Sequence, residues 1–322
     1  FNFEEFTAVA GVAGWDRVAC WSRAVWAEWR VSVYRRYAAA IPRIETLPDF
    51  GEIEGGTFSV ERLLAARPDL LIIGVWTYRG LGAEIARIEA MGVPVLVVDY
   101  NTQTPELHSA STIALGRATG NEARGRELAE TYLSKTADYR ARAALSGARP
   151  RAYFEQSRGG PETMGNTYSK GMWANILEMA HGGNIAAGKV PDSWGPLAPE
   201  QVLASAPEAI FLAGSSWTNA PRAVVTGFDA DAAATRARMR AFLDRPGWSG
   251  LPAVRAGKVY AIEHGLCRSL FDYAALAFVA KQLHPERFRD VDPVAELRRY
   301  HEAWLPVRFE GTWMTGLGPD AA

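Results

Sequence analysis

The sequence predicts an α/β fold: two lobes with central, mostly parallel sheets joined by a single long α-helix. Three observations carry this expectation. First, one supersecondary unit is written twice. Glu61-Arg-Leu-Leu-Ala-Ala-Arg-Pro68-Asp-Leu-Leu-Ile-Ile-Gly74 is one copy, and Glu200-Gln-Val-Leu-Ala-Ser-Ala-Pro207-Glu-Ala-Ile-Phe-Leu-Ala-Gly214 is the other. In each, a short helix stops at Pro, an acidic residue turns the chain, and an apolar run ends in Gly ahead of a Trp (Trp76 or Trp217). That pattern is a helix feeding a buried parallel strand with an aromatic beyond its C-terminal end. Second, apolar runs alternate with helical patterns on both sides of each copy, the rhythm of a parallel sheet with right-handed crossovers. Third, from Asn121 to Ser146 charged residues interleave with Ala, Leu and Tyr at helical spacing, with no Pro and no Gly after Gly125. This is a helix of about 20 residues, ~30 Å long, too polar to be buried all round and suited to joining two lobes. The expected division is an N-terminal lobe over 1–120, a linking helix over 121–147 and a C-terminal lobe over 148–322.

Taken in order, Phe1 to Gly11 reads as a helix with Phe3, Phe6, Val9 and Ala10 on one face. A short strand is expected at Arg17–Cys20. A single helix over 24–40 carries Trp26, Trp29, Val33, Tyr34 and Tyr37, and ends at Pro42. Leu47 to Gly56 is a turn-rich connector into the first repeat copy. A helix over 82–91 and a buried strand over 93–99 complete the first lobe. The second lobe opens with a strand over 151–155, a Gly-rich loop over 159–165 and a helix over 170–179 that stops at Gly182-Gly183-Asn184. After the second copy come a helix over 230–243, a strand over 257–264 and helices over 270–283 and 294–304, the last led by Asp292-Pro293.

Bulk properties exclude several function classes. With 322 residues, 48% hydrophobic and 22% charged, the composition is that of a folded soluble protein. A net charge of −1 argues against electrostatic nucleic-acid binding. No window approaches 18 uninterrupted apolar residues, so no membrane span is expected. The first residue is Phe, which fits a chain processed after removal of a targeting segment. Eleven Trp is high, and some are expected on a binding surface. Cys20 and Cys267 match neither a disulfide framework nor a zinc pattern; free thiols, a bond between the two and a ligand contact all stay open.

At this point the order of elements resembles the periplasmic binding proteins of ABC importers that carry iron complexes, haem and vitamin B12. The phrases that carry the resemblance are Val60-Glu-Arg-Leu-Leu-Ala-Ala-Arg-Pro-Asp-Leu-Leu-Ile-Ile73, Gly182-Gly-Asn-Ile185, Leu197-Ala-Pro-Glu-Gln-Val-Leu-Ala-Ser-Ala-Pro207 and Ala256-Gly-Lys-Val-Tyr260. They cover nearly the whole chain; each is weak alone, and their order and spacing are together specific. The family opens with a strand before its first helix, whereas Phe1 stands at or inside that helix, so a strand ahead of Phe1 is left open. The resemblance implies two α/β lobes joined by one rigid helix, and a glutamate on each lobe that docks onto arginines of the permease dimer. Those glutamates are carried over to Glu84, in Gly82-Ala-Glu-Ile, and to Glu200. Two exposed carboxylates at fixed separation suit a basic partner.

Ligands of open α/β sheets bind outside the carboxyl ends of the strands. The segments expected there are Cys20-Trp-Ser-Arg23, Trp76-Thr-Tyr-Arg79, Gln156-Ser-Arg158, Ser193-Trp194, Ser216-Trp217 and His264-Gly-Leu-Cys-Arg268. The candidate ligand residues are therefore Trp21, Arg23, Trp76, Tyr78, Arg79, Arg158, Trp194, Trp217, His264 and Arg268. Arg offers planar, bidentate donors to oxyanions, and aromatics clamp a flat or aromatic-rimmed ligand. The resemblance puts Trp76 and Trp194 near the family's cleft tryptophans. It also suggests His264 and Tyr273 as metal donors, since some siderophore-binding relatives complete ferric coordination with a His and a Tyr. Met164 and Tyr168 flank the Gly loop as rim or core residues.

The function expected from this set is capture of a metal chelate, a ferric siderophore or related iron complex, in the cleft between lobes and delivery to an ABC permease. Molybdate- or tungstate-type oxyanions, haem and cobalamin are the alternatives of the same class. An enzyme on a two-lobed scaffold is the remote one: Gly-x-Ser-x-Gly, His-Glu-x-x-His and a phosphate loop are all missing from the sequence, and Asp99, Glu155 and Glu263 have no catalytic partner spacing. The protein is expected to be a monomer without a cofactor of its own, any iron belonging to the cargo, and to be extracytoplasmic, either free in the periplasm or lipid-anchored.

Overall fold

A computed structural model describes residues 3–102 and 104–318. Their contacts separate into two compact units. The first gathers the described residues up to Leu133 with Arg268–Leu270 and His301–Arg308; the second gathers Ser134–Cys267, Phe271–Tyr300 and the described residues from Phe309 on.

The first unit begins with α1 (Phe3–Ala10), whose Phe3, Ala8 and Val9 are buried. Phe1, the expected helix start, lies outside the described residues. The strand expected at 17–20 does not form. Val12–Arg17 is a 3-10 turn, closed by the Val18 amide on the Trp15 carbonyl at 3.2 Å and fixed by the Trp15 indole on Thr7 Oγ1 at 3.0 Å. The residues after it contribute one bridge, Trp21 beside Asp49. The single helix expected over 24–40 is two, α2 (Ala24–Trp29) and α3 (Val31–Ala40). The break is Arg30, at φ −139° and ψ 58°, which is buried and ion-paired to buried Glu4. Bringing that guanidinium inward to a carboxylate overrides the helical periodicity, because an unpaired buried charge would cost several kcal/mol (about 3–5).

After α4 (Arg43–Thr46) comes the first repeat copy: α5 (Val60–Ala65), capped by Ser59 Oγ accepting the Arg62 amide, then β1 (Leu71–Gly74). The helices α6 (Val75–Leu81) and α7 (Glu84–Ala90) lead to β2 (Val95–Val98), which lies parallel to β1 with Leu71 opposite Val95. Phe50, Val60, Leu63, Ile73, Ile85 and Ile88 form the core against this pair. Two long helices follow, α8 (Pro105–Ala118) and α9 (Glu122–Ala144). They touch through glycines: a Cβ on Gly125 would lie 3.1 Å from Gly116 Cα and 2.9 Å from the Thr112 carbonyl oxygen. The boundary between units falls inside α9, between Leu133 and Ser134.

The second unit holds β3 (Arg151–Gln156), β4 (Asn166–Tyr168), α10 (Met172–Met179), β5 (Gly183–Asn184), β6 (Trp194–Pro196), α11 (Pro199–Ser205), β7 (Ala209–Gly214), α12 (Ala232–Leu243), α13 (Pro252–Arg255), β8 (Val259–Glu263), α14 (Asp272–Leu283), α15 (Pro293–Trp304) and β9 (Met314–Gly316). Its main sheet runs β5-β3-β7-β8-β9, parallel except for the antiparallel β9 at one edge. Every residue of β7 is buried, as a central parallel strand requires. Phe154, Phe211 and Tyr260 stack across three neighbouring strands at 4.7 and 5.2 Å. β4 and β6 make a separate antiparallel pair beside β3.

The duplication extends to backbone detail. Arg67 and Ala206, each just before the Pro of its copy, both sit at positive φ, 49° and 43°. A left-handed residue followed by Pro ends each helix and sends the chain into its strand.

Candidate functional site

In the second unit, β3, β7 and β8 end side by side, so the residues that follow them converge. Ser157, after β3, donates its hydroxyl to the Ala213 carbonyl at 3.0 Å and accepts the Val224 amide at 3.2 Å, stitching the strand ends together. His264, after β8, is buried at the centre of this end. Its ring faces Trp217, after β7, at 5.9 Å and Tyr168, from β4, at 6.1 Å. The Trp173 indole N–H points at His264 Nδ1 at 3.3 Å, and Gln156 Nε2 lies 3.3 Å from His264 Nε2. An indole nitrogen only donates, so Nδ1 accepts. Nε2 faces the Gln156 side-chain amide. Both ring nitrogens of His264 are thereby engaged by neighbouring side chains.

Around this buried centre stand exposed groups. Arg158 is exposed in the short turn after β3. Trp194 is 36% exposed on β6, in register opposite Tyr168. Trp217 is buried and does not present its indole at the surface. Tyr273 does not join the group. It is buried near the start of α14 and packs on Tyr300 at 6.5 Å. Burial, reinforced by the Glu296 carboxylate, pushes its hydroxyl far above the usual tyrosine range, which opposes the phenolate a metal would need.

The strand-end carboxylates are all committed. Glu155 is bridged by Arg245 at 2.7 Å. Glu263 accepts from Ser215 Oγ at 3.2 Å. Asp99 caps its own turn, accepting the Asn101 and Thr102 amides at 3.0 and 2.9 Å. Among the described residues, no three of His, Cys, Asp and Glu gather into a metal-binding group.

In the first unit, the segment Trp76–Arg79 is helical and not a loop. Gly74, in extended conformation, starts α6 directly after β1, and Gly82 at φ 52° lies just beyond its end. Trp76 is 42% and Tyr78 41% exposed, with Arg79 exposed beside them. Arg23 faces elsewhere: its Nη1 donates to the Glu45 and Leu47 carbonyls, pinning a local loop. Trp21 is a core residue, its indole N–H committed to the Ile44 carbonyl at 3.0 Å and its ring edge-on to Phe3 and Trp15. Trp21, Trp76 and Arg268 do share the wall of one cavity of about 540 Å³. That cavity runs beside β1 and takes in the residues beyond both strands of this unit, Val75–Thr77 and Asp99–Asn101, together with Cys20–Ser22. Cys20 lines it, and Cys20 and Cys267 are both free thiols. Burial pushes the Cys20 thiol up to about 11.

Glu84 and Glu200 lie in the first turns of α7 and α11, and Glu200 is exposed. Sequence reasoning passed over Glu61. The repeat itself equates Glu61 with Glu200, each in the first turn of the helix feeding its strand. Glu61 is also the more open carboxylate, with its side chain 72% exposed against 44% for Glu84, and Arg87 bridges the two at 3.2 Å each. Pro161–Gly165, around which Arg245 is wrapped, was likewise missed as a held structure.

The chain matches a family model described as periplasmic binding protein over residues 32–264. Among curated proteins none matches. Among solved structures, it is similar to the TroA-like periplasmic binding protein FepB of Veillonella parvula, with 30% identity and a TM-score of 0.91, covering 98% of this chain and 91% of that one. It shares its fold with MolA of Haemophilus influenzae, solved with molybdate bound: 16% identity, TM-score 0.69, 96% of this chain and 92% of that one. It also shares the fold of the vitamin B12 binding protein BtuF of Vibrio cholerae: 21% identity, TM-score 0.55, 78% of this chain and 86% of that one. With a fold built on parallel-strand units in both halves and a family match across most of its length, the chain belongs to the periplasmic binding protein family.

Proposed function

We propose that this protein captures a metal chelate, a ferric siderophore or related iron complex, outside the cytoplasm and delivers it to an ABC permease. One observation carries the reading: each unit exposes large aromatics and arginines, after β1 in the first and on β6 and after β3 in the second. These are Trp76, Tyr78 and Arg79 in the first and Trp194 and Arg158 in the second. Exposed tryptophans are otherwise costly surface, and beside guanidinium groups they suit an anionic ligand with aromatic or flat faces. Trp173 and Gln156 face the two ring nitrogens of His264, which favours a positioning role over metal ligation. Iron then arrives inside its chelate, and the protein needs no cofactor of its own. The commitment of Glu155, Glu263 and Asp99 to structural partners supports binding without catalysis. Permease docking falls to Glu200 and, by the repeat, to Glu61, with Glu84 held to Glu61 through Arg87.

A second reading has its own support. Gln156 ends β3 and Ser216 follows β7, whose ends lie side by side, and both offer uncharged donors suited to a small oxyanion of the kind bound in MolA. Quenching of tryptophan fluorescence separates the two. A ferric tris-catecholate is expected to quench strongly, and Trp76→Ala and Trp194→Ala each to weaken its binding. Saturation by molybdate alone, with the catecholate inert, refutes the chelate reading in favour of the oxyanion.

A further inference from the structure

One buried guanidinium holds the Gly-rich turn between β3 and β4. Arg245, just past α12, donates from Nη1 and Nη2 to the two carboxylate oxygens of Glu155 at 2.7 and 2.8 Å. Its Nε donates to the Pro161 carbonyl at 2.7 Å. Nη2 also meets the Thr163 carbonyl at 2.6 Å and that of Gly160 at 3.2 Å. The rings of Phe242 and Trp248 lie 4.6 and 4.7 Å from the guanidinium carbon. Glu155 in turn accepts the Gly165 amide at 2.8 Å. Gly165 itself passes so close to the Gln156 carbonyl that a Cβ there would collide with it.

A buried ion pair is weak evidence for stability, because desolvation offsets much of its attraction. What this pair does determine is shape. Three carbonyls and one amide of the 160–165 segment are anchored to two side chains that lie 90 residues apart in sequence. Only a planar fork of five donors reaches a carboxylate and three carbonyls at once; an ammonium group cannot. The anchored segment leaves the end of β3 at Arg158 and enters β4, whose Tyr168 lies opposite Trp194.

We propose that Arg245 is a positioning residue for ligand capture. It fixes the turn over 159–165 in one conformation, so that Arg158 on one side and Trp194 on the other stand ready before the ligand arrives. This rests on the capture function proposed above. Preformed contacts lower the ordering cost of binding and lengthen residence.

Two variants test it: Arg245→Lys, and the double variant Glu155→Gln with Arg245→Met, which removes both charges and strands neither. Amide exchange is expected to rise about tenfold or more in peptides covering 158–165 while β7 and β8 keep their protection. A ferric tris-catecholate, followed by stopped-flow tryptophan fluorescence, is expected to dissociate about tenfold faster from both variants with a smaller change in association rate. Unchanged exchange in the turn overturns the clamp. A loosened turn with unchanged dissociation overturns the positioning role. If the wild-type protein takes up no catecholate, haem, cobalamin or molybdate, the capture function fails and the positioning role falls with it, while the exchange data still decide whether Arg245 holds the turn.

Discussion

Lowering the pH should destabilise the protein through one buried ring in the first unit. His108, on α8, is fully buried, with Nε2 at 2.8 Å from the Tyr100 carbonyl and its ring stacked on Tyr132 at 5.2 Å. Burial disfavours its charged form and lowers its pKa from 6.5 to about 4, against smaller opposing effects from the Tyr100 carbonyl and Asp99. The unfolded chain therefore binds a proton at this ring below pH 6.5 that the folded protein refuses until about pH 4. Its contribution is complete above pH 6.5 and is lost as pH falls toward 4. At ~1.4 kcal/mol per pH unit of separation, the loss totals about 3.5 kcal/mol, of which roughly 2.5 kcal/mol is gone by pH 4.5. His108→Gln keeps a donor toward Tyr100 and removes the titration. Urea unfolding of wild type and variant at pH 7.5 and 4.5 isolates this one group from the carboxylates, which titrate in both. The variant should lose about 2–3 kcal/mol less than wild type across that interval. Parallel losses in the two proteins would refute the reasoning.

Two further outcomes follow. Gly125→Ala adds a methyl group 2.9 Å from the Thr112 carbonyl oxygen and 3.1 Å from Gly116 Cα, both backbone, so α8 and α9 must separate. Despite the better helix propensity of Ala, the urea midpoint should fall by the equivalent of about 1–2 kcal/mol, and a rise would contradict the contact. Glu61→Ala combined with Glu200→Ala should leave ligand affinity intact while abolishing transport in cells or permease-containing vesicles; weakened ligand binding in this double variant argues against docking as the role of these carboxylates.

What could be seen in the sequence was whatever repeats locally. The copies at 61–74 and 200–214 give α5–β1 and α11–β7 at the expected places, because helix, Pro stop and apolar run are all short-range signals. The uninterrupted polar periodicity of 121–146 gives α9. The failures are long-range. The strand at 17–20 gave way to a turn closed by Trp15 on Thr7, and the helix over 24–40 broke to bring Arg30 to Glu4. β9 was unforeseen, since three residues beside β8 carry no period of their own. At the candidate site, the placement of Trp76, Tyr78, Arg79 and Arg158 just beyond strands was legible, but not that Trp76–Arg79 is helical or that Trp194 lies on β6. The inward faces of Trp21 and Arg23 were not, because what decides them is a carbonyl more than twenty residues away. The equivalence of Glu61 and Glu200 was also legible, since it follows from the repeat.

The placement of β9 bears on how the chain is made. The second unit's sheet is sealed at β8 only by Met314–Gly316, and the first unit takes in His301–Arg308. A nascent chain that has emerged only as far as α14 thus holds neither unit finished, although its earlier elements are all present. Folding domain by domain behind the ribosome is the usual order for two-part proteins. Here each part is completed by its own late segment, His301–Arg308 for the first and Met314–Gly316 for the second, so neither can close its fold before the last residues emerge.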